Sequence, residues 1–279
     1  MEQTAPILKE PTHSLLRSDI PSAKIACVCD TYGLPKFPAP VRYVSNIIAV
    51  LKSLAITVDN KDPSQLQEIH KGVYEGGFLL WECERDCLTY LQSQFEAIKQ
   101  EAQTRHYRAL EIGCGSGLVG IALLQAGVQT VVFQDYNPEV LQYWTGVNVG
   151  LNFGQNKLQE SCSFVKGDWA NLQQELEHDV IKTTATPGLG NEKYDLIVGC
   201  DVIYETKNYK TLLDLFAQFL SPTGRVLIAS KAYYYGNGGS LAEFKALVTS
   251  DTRFTTQQVF LVPTGGGNRR EVIQLTFRT

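Results

Sequence analysis

The stretch LEIGCGSGLVGIALL, residues 110–124, decides how this chain folds. An apolar run ends in three alternating glycines and passes directly into a helical pattern, which reads as a strand, a tight loop and a helix. Gly113, Gly115 and Gly117 let a ligand approach the backbone with no Cβ in the way, and the helix that follows presents unpaired N–H groups. A dinucleotide fingerprint would place a glycine three residues after Gly115. Leu118 stands there instead. Glu111, at the end of the strand, would repel a pyrophosphate but could accept hydrogen bonds from a cationic amino-acid ligand. That combination favours S-adenosylmethionine over NAD. A second strand, TVVFQD from Thr130, ends in Asp135, about the spacing at which an acidic residue reaches a ribose hydroxyl pair.

From Tyr107 onward, strands and helices alternate. Strands are expected over 109–112, 130–133, 163–166, 194–200 and 225–230, with helices over 118–125, 138–147, 209–220 and 241–248. Two further strands, 255–261 and 271–277, flank the turn PTGGGNRR. The fold class is α/β and Rossmann-like: seven strands in a mostly parallel sheet, a C-terminal antiparallel hairpin, and helices on both faces. Residues 173–192 read as a surface loop with some helix. The domain division is an N-terminal extension over 1–65, partly irregular, and one domain over 66–279. Pro11, Pro21, Pro35, Pro38 and Pro40 suggest an extended arm, and the run from Val44 a short helix or strand.

In an open sheet of this kind ligands sit beyond the carboxyl ends of the strands. Those ends supply Glu111 with the glycines, Asp135, Asp168 with Trp169, Asp201 with Tyr204, and Lys231 with the tyrosines that follow it. In KGDWANL a carboxylate could accept from an adenine amino group while an indole covers the ring, a stack worth roughly 1–3 kcal/mol. The plainer reading has Asp168 capping a helix and Trp169 filling core. Asp201 and Tyr204 follow the apolar strand YDLIVGC. A polar pair there serves a pocket, with a capping Asp201 as the alternative.

Composition narrows the classes. Apolar residues make up 44% and charged residues 19% of the 279, the balance of a soluble globular protein. There is no run of about 18 apolar residues, and the N-terminus has neither a basic region nor an apolar core, so neither membrane spanning nor secretion is expected. Seven cysteines in no regular framework fit an intracellular protein with free, mostly buried thiols rather than a metal site. The expected location is the cytoplasm, with the nucleus open. A net charge of −4 speaks against a nucleic-acid-binding face and for a basic macromolecular partner.

Two more stretches complete the pattern: KGVYEGGFLLWECERD, residues 71–86, and SKAYYYGNGG, residues 230–239. Together with LEIGCGSGL, FQDYN and DVIY they resemble the protein-histidine N-methyltransferase family of seven-strand S-adenosylmethionine enzymes, over roughly residues 65–279. The resemblance implies as substrate a histidine of a large-subunit ribosomal protein of the L-three type, methylated at the ring nitrogen distant from the main chain. It also implies that Glu111, Gly113, Gly115 and Gly117 hold the methionine part of the cofactor, Asp135 its ribose, and Asp168 with Trp169 its adenine. Trp81 would close over the site, or stand as ordinary core. Relatives often carry Ser-Glu-Thr-Ile-Tyr-Asn after the fourth strand; this chain has Cys200-Asp201-Val202-Ile203-Tyr204-Glu205. The Asp form resembles the related protein-lysine methyltransferases, which leaves the acceptor residue open.

A neutral imidazole can attack a sulfonium methyl directly. With an ordinary pKa of about 6.5, histidine needs little general-base help. Positioning should dominate, with Asp201 holding the proton on the far ring nitrogen and Tyr204 and the tyrosines 233–235 flanking the ring. A lysine acceptor, with a pKa of about 10.4, must lose a proton first. Glu75, Glu82, Glu84 and Asp86 form an acidic series that is either a dock for a basic protein or a solvated face. His13, His70, His106 and His178 show no triad or metal constellation. Three functions remain in view: a histidine methyltransferase, a lysine methyltransferase, and a non-catalytic ribosome-assembly module that keeps the fold.

Overall fold

A computed structural model describes residues 29–53, 76–178, 193–263 and 267–279. The central strands of its large sheet are buried on both faces, as a sheet covered on both sides requires. In the middle strands successive side chains enter two different cores: Ala109, Val131, Leu196 and Leu227 one, Leu110, Val132, Ile197 and Val226 the other. The elements run in order β1 (Cys29–Tyr32), β2 (Val41–Val44), α1 (Ile47–Ser53), α2 (Glu82–Thr104), β3 (Arg108–Ile112), α3 (Leu118–Gln125) and β4 (Thr130–Asp135). Next come α4 (Pro138–Val140), a π-helical turn (Leu141–Thr145), α5 (Gly146–Ser161), β5 (Cys162–Lys166) and α6 (Leu172–His178). The chain closes with β6 (Tyr194–Cys200), α7 (Tyr209–Phe219), β7 (Leu220–Lys231), α8 (Leu241–Ser250), β8 (Phe254–Leu261) and β9 (Arg270–Phe277).

The large sheet has the order β5-β4-β3-β6-β7-β9-β8. β3 pairs in parallel with both β4 and β6, and the C-terminal β8 and β9 are antiparallel. This is the expected α/β sheet with its closing hairpin. The order reverses between β3 and β6, so a crevice opens at their carboxyl ends. All the site residues named from the sequence, except Trp81, follow or end strands at that edge.

Three differences from the sequence reading are physical. The helix expected over 138–147 continues to Ser161, passing a non-helical Gly154 at φ 73. Helix α2 was not anticipated, although Glu84, Leu88, Leu91, Phe95, Ile98 and Ala102 form a single buried stripe along it at helical spacing. Instead of an extended arm, residues 29–44 form the hairpin of β1 and β2, with Pro35, Pro38 and Pro40 in its connection. The hairpin is stitched to α5 and to the π-helical turn before it. Arg42 N–H donates to Asn152 Oδ1 at 2.9 Å, Val44 N–H to Asn148 Oδ1 at 2.9 Å, and Trp144 Nε1 to the Val44 carbonyl at 2.9 Å. Pro11 and Pro21 lie outside the described residues.

Candidate functional site

The glycine loop is shaped by three residues in the left-handed region: Gly113 at φ 56, Gly115 at φ 48 and Gly117 at φ 73. At Gly115 the need for glycine is double, because a Cβ would also lie 3.2 Å from the Gly77 carbonyl oxygen. The start of α3, whose first N–H groups have no partner inside the helix, rests on two buried acids. Glu84 accepts from the Ser116 hydroxyl and, at 3.2 Å, from Leu118 N–H. Glu111 accepts from Gly120 N–H at 2.8 Å. Glu111 therefore faces α3 from within the core, 3% exposed, and does not line the cleft; it supports the loop from beneath. Burial pushes the Glu84 carboxyl up to about 7. Burial first, and then repulsion from Glu84, push Glu111 well above the usual carboxylate range.

Asp135 lines the cleft yet is only 4% exposed. It accepts from Gly115 N–H at 3.0 Å and from Asn137 N–H at 3.2 Å. Its neighbour Gln134, which the sequence reading passed over, ties three strand ends together. Its carbonyl oxygen accepts from Gly113 N–H at 3.1 Å and Trp169 Nε1 at 2.9 Å, and its amide donates to the Gly167 carbonyl at 2.8 Å. The signal for it was a lone amide directly after the apolar run Val131–Phe133. Gln134→Leu, close in size, would leave those three groups without their partner. We expect a loss of about 2 kcal/mol or more, seen as a thermal midpoint lowered by about 5 °C together with weaker cofactor binding; an unchanged midpoint would refute the clamp.

Asp168 caps the short 3-10 turn Trp169–Asn171, its Oδ1 accepting from Ala170 N–H at 2.9 Å. It also lines the cleft beside Trp169, so capping and pocket roles coexist. Trp81 is half-buried, donates from Nε1 to the Gly76 carbonyl at 3.1 Å, and forms another wall of the cleft.

Opposite the glycine loop stands Asp201. It is the sole non-glycine with positive φ (56) among the described residues, a conformation that asparagine and aspartate tolerate better than most and that marks functional positions. Its Oδ1 accepts from the Tyr234 hydroxyl at 2.8 Å and lies 3.7 Å from Lys231 Nζ, while Oδ2 takes Cys83 N–H at 3.4 Å. Burial raises its pKa, and Lys231 and Tyr234 oppose that rise. Tyr204 also lines the cleft. Its carbonyl accepts from Gly239 N–H at 2.9 Å, an approach so close that a Cβ on residue 239 would sit 2.3 Å from the Ile203 oxygen. The tyrosine cluster divides. Tyr234 turns inward to Asp201, whereas Tyr233 and Tyr235 are 42% and 80% exposed and stack edge to face with centroids 5.0 Å apart.

The acidic series also divides. Glu84 is buried; Asp86 is bound by Arg270 Nε at 2.6 Å; Glu82 lies 3.5 Å from Arg270 and 3.7 Å from Lys231; Glu75 lies outside the described residues. As a dock for a basic protein, the series offers only Glu82 as an exposed carboxylate among its described members. Cys83, Cys87, Cys114, Cys162 and Cys200 are free thiols; Cys27 lies outside the described residues. Among the described residues no group of three or more histidines, cysteines and acids is placed to hold a metal ion, and no helix is long and apolar enough to cross a membrane. His106 bonds Thr130 at 3.1 Å, remote from the cleft; His13 and His70 lie outside the described residues, as does the environment of the His178 side chain.

A family model described as lysine methyltransferase matches residues 60–238. The chain belongs to this family. The chain is 36% identical to a histidine protein methyltransferase 1 homolog of Dictyostelium discoideum, over 74% of this chain and 59% of that one. It is 31% identical to the homolog of Mus musculus, over 82% of this chain and 66% of that one. The histidine protein methyltransferase 1 of Schizosaccharomyces pombe is 28% identical over 62% of this chain and 57% of its own length. The chain thus spans about three-fifths to two-thirds of the length of these relatives.

Proposed function

We propose that this methyltransferase-family chain transfers a methyl group from S-adenosylmethionine to a ring nitrogen of a protein histidine, in a large-subunit ribosomal protein of the L-three type. The observation that carries the reading is that Asp201 and Tyr204 share one cleft with the glycine loop, Asp135 and Trp169. The names of the relatives, histidine protein methyltransferase 1, support the acceptor. The residues fit the cofactor. A Cβ would intrude at Gly115, a nearly buried carboxylate reaches the cleft at Asp135, and an indole is fixed beside it at Trp169.

In this reading Gly113, Gly115 and Gly117 hold the methionine part, Asp135 the ribose hydroxyls, Asp168 and Trp169 the adenine, and Trp81 covers the site. Glu111 acts by fixing α3 rather than by touching the ligand. When bound, the cofactor supplies an electrophilic methyl group. The protein's task is then to present one ring nitrogen as a lone pair and keep the proton on the other. Asp201, held by Tyr234 and Cys83 N–H, accepts that N–H. Tyr204 flanks the ring. Asp201→Asn should slow transfer about 10- to 100-fold, the scale of one hydrogen bond to a charged group, with cofactor affinity nearly unchanged; unchanged turnover in a single-turnover assay would remove Asp201 from the mechanism.

A second reading, a lysine acceptor, is favoured by the description of the family model and by aspartate at position 201. One experiment separates the two. The protein is incubated with labelled S-adenosylmethionine and ribosomal proteins, and the modified residue is located by mass spectrometry. Labelled histidine in the L-three type protein supports the proposal, labelled lysine overturns it in favour of the second reading, and no label despite cofactor binding points to a binding module.

A further inference from the structure

We propose that Lys231 is a specificity-determining residue, which makes the acceptor site choose a neutral, N–H-bearing ring over an amine. The inference rests on the histidine reading above and deepens it. Lys231 ends β7 with its side chain 16% exposed and its Nζ 3.7 Å from Asp201 Oδ1. The ammonium lies 5.0 Å from the centre of the Trp81 ring and 5.9 Å from that of Tyr234. Both distances are within the range in which an aromatic face favours a cation. The Lys231 N–H also reaches the Tyr234 hydroxyl at 3.3 Å, and that hydroxyl is itself on Asp201. The cation is therefore built into the wall behind the carboxylate.

An isolated carboxylate in a cleft attracts cations, and a lysine acceptor arrives as one. With Lys231 alongside, the pair carries no net charge. An ammonium bound at Asp201 would gain no net attraction from the pair and would meet the like charge that lies 3.7 Å from that carboxyl group. A neutral imidazole is not repelled by this arrangement, and its N–H still finds an Asp201 oxygen as acceptor. Of the other charges at this end of the cleft, Glu205 is paired with Lys207 at 2.7 Å. Glu82 is 62% exposed and is divided between Lys231 at 3.7 Å and Arg270 at 3.5 Å, and Arg270 in turn binds Asp86 at 2.6 Å. Cys83, whose N–H faces Asp201, is buried with its thiol pushed far up by burial and by Asp201, so it stays neutral.

The test uses the full chain loaded with S-adenosylhomocysteine and two side-chain probes, 4-methylimidazole and n-butylamine. Both are titrated at pH 8.5 and followed by the 15N indole signals of Trp81 and Trp169. We expect the wild type to bind the ring at least tenfold more tightly than the amine. Lys231→Met should erase most of that ratio by gaining amine affinity, and Lys231→Arg should keep it. An unchanged ratio in Lys231→Met overturns the role of Lys231 even if histidine is the labelled residue in the mass-spectrometric assay. Labelled lysine there overturns the histidine reading by itself. Should the methionine variant fail to fold, Asp201→Asn decides: it must weaken ring binding without raising amine binding, and stronger amine binding overturns the proposal.

Discussion

Asp135→Ala is expected to weaken S-adenosylmethionine binding by about two to three orders of magnitude while the protein stays folded. Two losses combine. On the proposed reading the ribose hydroxyls lose a charged acceptor, and Gly115 N–H and Asn137 N–H, now held at 3.0 and 3.2 Å, lose their shared partner. A hydrogen bond to a charged group contributes about 1.5–3 kcal/mol and an orphaned buried donor costs about 1–3 kcal/mol, while each 1.4 kcal/mol is about a tenfold change in Kd. Part of the cost already falls on the free protein, so affinity should fall by less than the two losses summed. Isothermal titration with the cofactor reads the effect directly. A change below about threefold would mean that the loop holds its shape without Asp135 and that the ribose lies elsewhere.

Glu84→Gln should stabilise the protein at pH 8 and leave it nearly unchanged at pH 5. The folded state raises the Glu84 carboxyl from 4.5 to about 7, chiefly by burial. Between those values the folded state holds a proton that the unfolded state has released. The favourable contribution of the protonated carboxyl is therefore complete below the unfolded pKa and is lost as pH rises through the folded one. A shift of this size corresponds to about 3 kcal/mol. Glutamine keeps an oxygen for the Ser116 hydroxyl and Leu118 N–H but carries no charge to desolvate. Urea unfolding of both proteins across pH 5 to 8 should show a falling curve for the wild type and a flatter one for the variant. Parallel curves would mean that Glu84 is ionised throughout. Glu111 is shifted in the same direction, so the variant's curve should keep some slope.

The parts of this fold that were legible are those where one physical signal acts alone. Apolar runs of strand length placed β3 to β9 at or within a few residues of their positions, except at the start of β7, because a strand buried on both faces has little freedom in composition. The cleft residues were legible because this sheet type puts its ligand at the strand ends. Helix α2 was hidden by competition between signals. Glu82, Glu84, Arg85 and Asp86 crowd its start, and charge there reads as surface. Yet Glu84 lies four residues before Leu88 on the stripe that continues through Leu91 and Phe95, so the helical period alone would have buried it. Glu111 was read as facing ligand because it ends a strand; Gly120, the helix glycine that gives it room to turn inward, lies nine residues on. Lys231 was legible only as a cation at a strand end and Gln134 only as an amide within a strand; what each binds was not, since their partners Asp201, Trp81 and Trp169 come from segments far apart in the chain.

Asn148 joins two parts of the molecule that are remote in sequence. Its Oδ1 takes the Val44 N–H, and its Nδ2 donates to the Ser116 carbonyl at 2.8 Å, inside the glycine loop. Through one amide the N-terminal hairpin braces the cofactor loop. A recombinant fragment trimmed to begin near residue 65, the boundary that sequence patterning suggests, would keep every residue that touches the cleft and still lose this brace. Poor activity in such a fragment would report where it was cut, and would say nothing against the catalytic assignment.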